Sequence, residues 1–336
     1  LVTIKDVAKR ASVSPSTVSR VISNHSGISS ETKKKVQKVM DEIGYTPNLS
    51  ARYLVTKQTK TILLVLKTAS IEMRQNPFFT DVLISVSKVC KENGYSTITT
   101  TSIDEQALFK EVKNYIDSRM IDGVILLYSK QDKVTDYLKA KSFPFVVIGK
   151  ALDDNYPVMY IDNDNVKASE QLTEYMVDLG HKNLLFIREQ GDYEVSKDRE
   201  LGFINVCRKH GIDYEVLEGT LELKEAQSIL KEINIERFSG LITSDSMMNL
   251  LVLNILYQMK INVPETIQTA TFNDSFLSET ACPSQTVVNI YPESLGKVAA
   301  TNLIELLSDK AFPIYNVIIP TTIIERNSTQ MIGARR

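Results

Sequence analysis

At 336 residues, with 43% hydrophobic and 24% charged side chains, the chain can bury cores for two or three domains and is too apolar to be disordered. Its formal net charge of −2 hides an asymmetry: residues 1–60 hold 11 Lys and Arg against four acids, while the rest carries a surplus of nine acids. No apolar run approaches the roughly 18 residues of a membrane span and no secretory signal is evident, so a cytoplasmic protein without a membrane partner is expected.

Ile4, Val7, Ala8 and Ala11 recur at helical spacing and predict a short amphipathic helix. Ser12-Val13-Ser14 interrupts it. Ser14 is placed to cap a second helix, with Pro15 in the first helical position, where a missing N–H costs nothing. Val18, Val21 and Ile22 face inward on that helix, leaving Pro15, Ser16, Ser19 and Arg20 outward. The pattern is a helix-turn-helix, whose second helix enters a major groove and can offer Arg to guanine. Two helices of an ordinary bundle share this periodicity. The basic balance of residues 1–60 favours a nucleic-acid partner, because cationic side chains seek phosphate and the acidic remainder is repelled by it.

A third helix is expected over about 30–43, closed by Gly44 and kept from continuing by Pro47. Residues 48–55 form a helix-competent octet too short to be stable alone, and 56–61 read as a polar linker. Beyond residue 61 short apolar runs alternate with amphipathic stretches. Strands are expected at 62–66, 96–100, 123–128 and 145–149, with helices near 79–93, 105–119 and 132–141 between them. A second series places strands at 184–188, 215–217, 240–243 and 267–272, with helices near 165–179, 196–210, 223–235 and 247–259. Continuous apolar strands separated by helices indicate parallel sheets covered on both faces. Two such series predict two doubly wound α/β subdomains. Ligands of such sheets bind at the carboxyl ends of strands, and a cleft between two sheets is a natural small-molecule site.

The remaining chemistry is sparse. Cys90, Cys207 and Cys282 stand far apart, without a CxxC or a neighbouring His, and fit reduced thiols. His25, His181 and His210 have no zinc-like spacing, and no Gly-rich phosphate loop or nucleophile elbow occurs. No metal, no cofactor and no catalytic residues are expected, so the chain is read as a non-enzyme.

The stretch Thr3–Asn24, TIKDVAKRASVSPSTVSRVISN, together with Gly44–Leu54 and Leu179–Asn183, makes the whole chain resemble the LacI/GalR family of bacterial transcriptional repressors. Within it, the likeness is greatest to the maltose-operon repressors of Gram-positive bacteria. The resemblance implies a helix-turn-helix head (1–47), a hinge helix and linker (48–60) and a core like that of periplasmic sugar-binding proteins. The core's N-terminal subdomain would comprise 61–161 plus about 290–318, and its C-terminal subdomain 162–289 plus about 319–336. It also implies a homodimer on a pseudopalindromic double-stranded DNA operator, with a hinge that folds on DNA and wedges Leu54 into a central minor-groove step. Pro15, Ser16 and Arg20 would face bases, Pro15 through apolar contact only. Thr3, Ser14, Thr17, Asn24, Tyr45 and Asn48 would contact phosphates, which set register without reading sequence.

For the small sugar effector, maltose or a maltodextrin, the family's binding arginine matches Arg199, and its ligand-contacting acid matches Asn273, where this chain keeps a polar group and drops the charge. Phe78 and Phe79 could supply an apolar wall or simply core packing. Asp245 could contact ligand or merely cap the next helix, and Arg199 could instead pair on the surface with Asp198 or Glu200. Lys150 and Tyr291 lie near the crossovers between subdomains. Sugar would close the subdomains and melt the hinge. Three alternatives are a catabolite regulator activated by a phosphorylated carrier protein, a plain sugar-binding protein and an enzyme.

Overall fold

The structure, a computed structural model, describes residues 2–22, 25–45, 58–66, 76–102, 104–152, 156–190, 194–219, 223–308, 313 and 315–332. The expected hinge helix with Leu54, and the expected phosphate contacts Asn24 and Asn48, lie outside them. The chain forms two compact units, residues 1–59 and 60–336.

The first unit holds α1 (Ile4–Ala11), α2 (Pro15–Ile22) and α3 (Ser30–Ile43). Val7, Ala8, Ala11, Val18, Val36 and Met40 form its buried core. Local chemistry sets the helix boundaries. Thr3 and Asp6 close a capping box at the start of α1, and Ser12 ends it in the left-handed region at φ 54°. Ser14 Oγ accepts from the Thr17 amide at 3.1 Å, the predicted cap of α2. Gly44 at φ 64° terminates α3 as its sequence position requires.

The second unit contains two six-stranded sheets. The first is built from β1 (Thr61–Val65), β2 (Ser96–Thr99), β3 (Gly123–Leu126), β4 (Phe145–Ile148), β5 (Met159–Asp162) and β11 (Val317–Ile318), in the order β11-β5-β4-β3-β1-β2. The second comprises β6 (Asn183–Glu189), β7 (Asp213–Gly219), β8 (Gly240–Thr243), β9 (Gln268–Phe272), β10 (Thr286–Asn289) and β12 (Thr322–Ile324), in the order β12-β10-β9-β8-β6-β7. All pairings are parallel except β10 with β12. Successive side chains of a strand point to opposite faces, so each sheet separates two cores. Ile62 and Leu64 enter one and Leu63 and Val65 the other; Leu184 and Phe186 oppose Leu185 and Ile187 in the same way.

The helices α4 (Pro77–Glu92), α5 (Glu105–Asp117), α6 (Lys133–Ala140), α7 (Asn165–Asp178), α8 (Glu194–His210), α9 (Leu223–Glu232), α10 (Ser246–Gln258), α11 (Phe276–Thr280) and α12 (Pro292–Ser308) complete the unit. Two glycines permit close helix pairs. A Cβ at Gly296 of α12 would collide with Ser85 Oγ and come within 2.8 Å of the Val82 carbonyl of α4. A Cβ at Gly202 of α8 would meet the Val166 carbonyl of α7. Six elements escape the sequence alternation: β5, β10, α11, α12, β11 and β12. β11, β12 and α11 are only two, three and five residues long, and α12 carries its Gly at a helix–helix contact. The helix expected to reach residue 235 ends at Glu232, and a 3₁₀ turn over Ile235–Arg237 follows left-handed Asn234.

Among the described residues no helix is long and apolar enough to cross a membrane. No group of His, Cys, Asp and Glu among them could hold a metal. Cys90 and Cys207 are buried thiols, pushed up to about 11 and about 12 by desolvation, and Cys282 is exposed.

Candidate functional site

In the head, Pro15, Ser16, Ser19 and Arg20 are exposed on one side of α2, while Val18 on the other is fully buried. The expected recognition face is therefore a true surface, built from short side chains and one guanidinium. Ser14 Oγ lies 2.7 Å from Ser16 Oγ and 2.9 Å from Thr17 Oγ1, so these three hydroxyls form one local network at the amino end of α2. Tyr45 packs half-buried on the head core. Thr3 is exposed, and its hydroxyl donates to Asp6 Oδ2 at 2.7 Å. That hydrogen bond holds the Asp6 carboxyl below its usual range. A phosphate contact from the Thr3 hydroxyl requires this bond to open, because a hydroxyl has a single proton to give.

In the core unit, the strands that end at Asp162, Glu189, Thr243 and Phe272 direct polar residues to one place, around Arg199 of α8. The Arg199 side chain is buried. Its Nε donates to Asn165 Oδ1 at 3.1 Å, Nη1 to the Ser244 carbonyl at 2.6 Å and Nη2 to Asn273 Oδ1 at 3.2 Å, and its guanidinium stacks 4.4 Å from the Phe272 ring centre. The alternative of a surface pair with Asp198 or Glu200 is excluded by this geometry. Asp198 instead accepts from Lys150 Nζ at 2.8 Å, and Glu200 meets Arg188 at 2.6 Å.

Asp245 caps a helix and also joins the cluster around Arg199. One oxygen accepts from the Met247 amide at 2.7 Å, capping α10. The other accepts from Asn76 Nδ2 at 3.1 Å and from Asn273 Nδ2. Asn273 thus accepts from Arg199 and donates to Asp245 with one amide, which a carboxylate at 273 could not do. The charge missing at 273 stands one strand away, on Asp245. The Asn76 and Lys150 contacts both cross from the first sheet's side to the second's. Glu189 Oε2 accepts from Ser196 Oγ at 2.9 Å and from Ser244 Oγ.

The cluster is acid-rich: Asp162, Glu189, Asp198 and Asp245 lie around Arg199 and Lys150. Burial, with the neighbouring Glu189 charge, pushes the Asp245 carboxyl up to about 6, against the Met247 amide and Arg199. Burial likewise raises Asp162 to about 6. Desolvation lowers the Arg199 guanidinium from its usual range and nearby carboxylates oppose that, whereas the Asp198 hydrogen bond raises Lys150.

Phe78 and Phe79 sit in the first turn of α4, capped by Asn76, with their rings edge to face at 5.2 Å. Phe78 packs against cores of both sheets and Phe79 against the first sheet's alone. Tyr291 is engaged away from Arg199, Asp245 and Asn273: its hydroxyl lies 2.8 Å from Thr322 Oγ1, and its carbonyl accepts from Ser294 and Leu295 at the start of α12. Asp162, Asn165, Glu189 and Ser196 join the cluster beyond the residues expected from sequence. Asp162 and Glu189 each end a strand, which is the signal that could have found them.

The family model for bacterial regulatory proteins of the lacI family matches residues 3–48. That for periplasmic binding proteins and the sugar binding domain of the LacI family matches 59–235, and a periplasmic binding protein-like domain matches 173–329. The HTH-type transcriptional regulator MalR of Staphylococcus xylosus is 44% identical over 335 residues, 99% of each chain. The chain belongs to the lacI family of bacterial regulatory proteins.

Among solved structures, a Staphylococcus aureus protein described as a probable maltose operon transcriptional repressor, malR, is 39% identical with a TM-score of 0.78, over 82% of this chain and 99% of that one. The lac repressor dimer bound to operator and an anti-inducer is 22% identical. It matches in fold with a TM-score of 0.80, over 97% of this chain and 98% of that one. These relatives of the lacI-family chain are transcription regulators, not enzymes. The small helix-turn-helix head and two-sheet α/β core expected from the sequence are what the structure and the family contain. The LGHKN motif of this lacI-family chain lies at the amino end of β6, opposite the cleft, with the buried His181 ring 2.9 Å from Ser239 Oγ.

Proposed function

We propose that this protein is a repressor of a maltose-utilisation operon, released from DNA by maltose or a short maltodextrin. The observation that carries the effector reading is the hydrogen-bonded series Arg199–Asn273–Asp245–Asn76, which joins two strand ends to α8 and the start of α4. It offers donors and acceptors in alternation, as paired sugar hydroxyls require, beside the apolar Phe78 and Phe79. Four carboxylates against two cations favour a neutral, hydroxyl-rich ligand over an anionic one. Lys150, held by Asp198, supplies a further donor at the rim, and Tyr291 is proposed as a more distant contact. Kinship with maltose-operon regulators supports the choice of sugar.

Operator reading is assigned to Pro15, Ser16 and Arg20 in the major groove and to Leu54 as a minor-groove wedge. Thr3, Ser14, Thr17, Asn24, Tyr45 and Asn48 are assigned to phosphates, and a homodimer places two heads on a pseudopalindromic operator in the cytoplasm. The lobes, residues 61–161 with about 290–318 and 162–289 with about 319–336, close on the sugar and separate the hinges. Coupling demands that sugar bind the DNA-free form more tightly than the DNA-bound form. The test is fluorescence anisotropy of labelled pseudopalindromic DNA with a central CG step, at fixed salt, with and without sugars. Tight binding that weakens with maltose but not glucose is expected. Tight binding indifferent to maltose overturns the effector while keeping the repressor.

A further inference from the structure

We propose that Arg326, from the segment after the last strand, is a positioning residue for effector sensing, acting through Asp274 on the amide of Asn273. The inference rests on the effector reading above, because Asn273 is there a sugar contact. Asn273 has a left-handed backbone at φ 69°. Asn tolerates that region better than most residues, but it persists only where the surroundings over-determine it. Its own amide donates to the Val288 carbonyl at 3.0 Å, which fixes one side of the turn.

The other side is fixed by Asp274. Its two carboxylate oxygens receive the two terminal nitrogens of Arg326 at 2.7 and 3.1 Å, a bidentate pair with about a sixth of each side chain exposed. Oδ1 of Asp274 also accepts from Ser278 Oγ at 2.8 Å, and Arg326 Nη1 donates to the Gln285 carbonyl at 3.0 Å. Arg326 is itself anchored, its amide donating to Thr286 Oγ1 at 2.9 Å. The following residues lace to the second sheet independently: Ser328 Oγ donates to the Thr269 carbonyl and accepts from the Thr286 amide, and Gln330 exchanges hydrogen bonds with Gln268.

A guanidinium fork grips a carboxylate in one orientation, whereas an ammonium is a point charge that permits rotation. The Arg326–Asp274 pair therefore dictates how the 273–274 peptide is turned. That turn aims Asn273 Oδ1 at Arg199 and Nδ2 at Asp245. Loosening the fork leaves the tail attached through Ser328 and Gln330 and frees the Asn273 amide.

The test uses the full chain carrying Arg326→Lys, with Asp274→Asn as a second, isosteric variant and Ser328→Ala as a control that loosens the tail without touching the pair. In unliganded protein, the Asn273 side-chain NH₂ resonances, assigned by their loss in Asn273→Ala, are expected to move toward the free-amide position in Arg326→Lys and to stay put in Ser328→Ala. Maltose affinity is expected to fall about tenfold in Arg326→Lys, within the range seen for coupled neighbours, with sugar-free operator affinity unchanged. Unmoved resonances overturn the proposal, as does an equal shift in Ser328→Ala. If wild-type protein binds none of the sugars, the effector reading fails by itself, and the resonances alone decide the positioning role.

Discussion

The face of α2 and the cleft around Arg199 are both polar, yet they are built in opposite ways. On α2 the outward residues are exposed, and the hydroxyl contacts of Ser14 span two or three positions in sequence. Around Arg199 the side chains are buried or half-buried, and the hydrogen bonds of Arg199 span 34 to 74 positions while the bond from Asn76 to Asp245 spans 169. A surface that meets a polyanion can leave its groups to water until the partner arrives. A cleft that senses a neutral molecule must hold each donor and acceptor beforehand, because a polar group buried without a partner costs about 1–3 kcal/mol. Substitutions should therefore act on binding alone in the head, and on binding and stability together in the cleft.

Arg199→Ala should give the largest effect. It strands Asn165 Oδ1, the Ser244 carbonyl and Asn273 Oδ1, and it leaves Asp162, Glu189, Asp198 and Asp245 without their buried counter-charge. Breaking a buried charge network by removing one partner costs about 3–5 kcal/mol, which should appear as a lower midpoint in denaturant unfolding of the core. Maltose binding by calorimetry should be lost altogether. A variant that unfolds like wild type and still binds sugar would erase the contrast between the two regions.

The same contrast explains what can be read from the chain. In the head, the apolar spacing of Ile4, Val7, Ala8 and Ala11, the Ser14 cap and the Gly44 stop are local signals, and their positions in the sequence are enough to place all three described helices. In the core, strands such as Leu184–Ile187 announce themselves as apolar runs because both faces are buried. Thr286–Asn289 does not, because only Val287 and Val288 in it are apolar. Arg199 and Asn273 are legible through family resemblance, and Asp245 through its place after a strand. The bridge from Asn76 to Asp245, 169 residues apart, is set by how the two sheets face each other, and no local pattern encodes it. Nor can the sequence show that Asn273 serves as both donor and acceptor, since that depends on a left-handed backbone beside Asp245.

Arg20→Ala should sharpen the comparison from the other side. Arg20 is exposed, so unfolding and sugar affinity should match wild type. Loss of a bidentate guanine contact should cost about 1–3 kcal/mol on the specific operator and relax discrimination at one base pair of each half-site. Anisotropy on matched and scrambled duplexes at one salt concentration separates this from a phosphate contact, which would weaken both duplexes alike.

The smallest expected effect is a pH dependence that belongs to the cleft only. Asp162 and Asp245 are raised to about 6. A carboxyl raised above its unfolded value adds stability that is fully present below that unfolded value, near 4, and is lost as pH rises through 6. By themselves these two groups therefore oppose the acid lability of the other carboxylates. On the proposed binding mode, extended to Asp162, sugar hydroxyls donate to both carboxylates and stabilise the ionised form, so maltose affinity should hold above pH 7 and fall several-fold as pH drops through 6, a tenfold loss of affinity corresponding to about 1.4 kcal/mol. Asp162→Asn should flatten part of that fall while sugar-free operator binding keeps its own profile. Titrating affinity from pH 7.5 to 5 decides it: a profile unchanged by Asp162→Asn removes Asp162 from the sugar's contacts and leaves the dependence to Asp245.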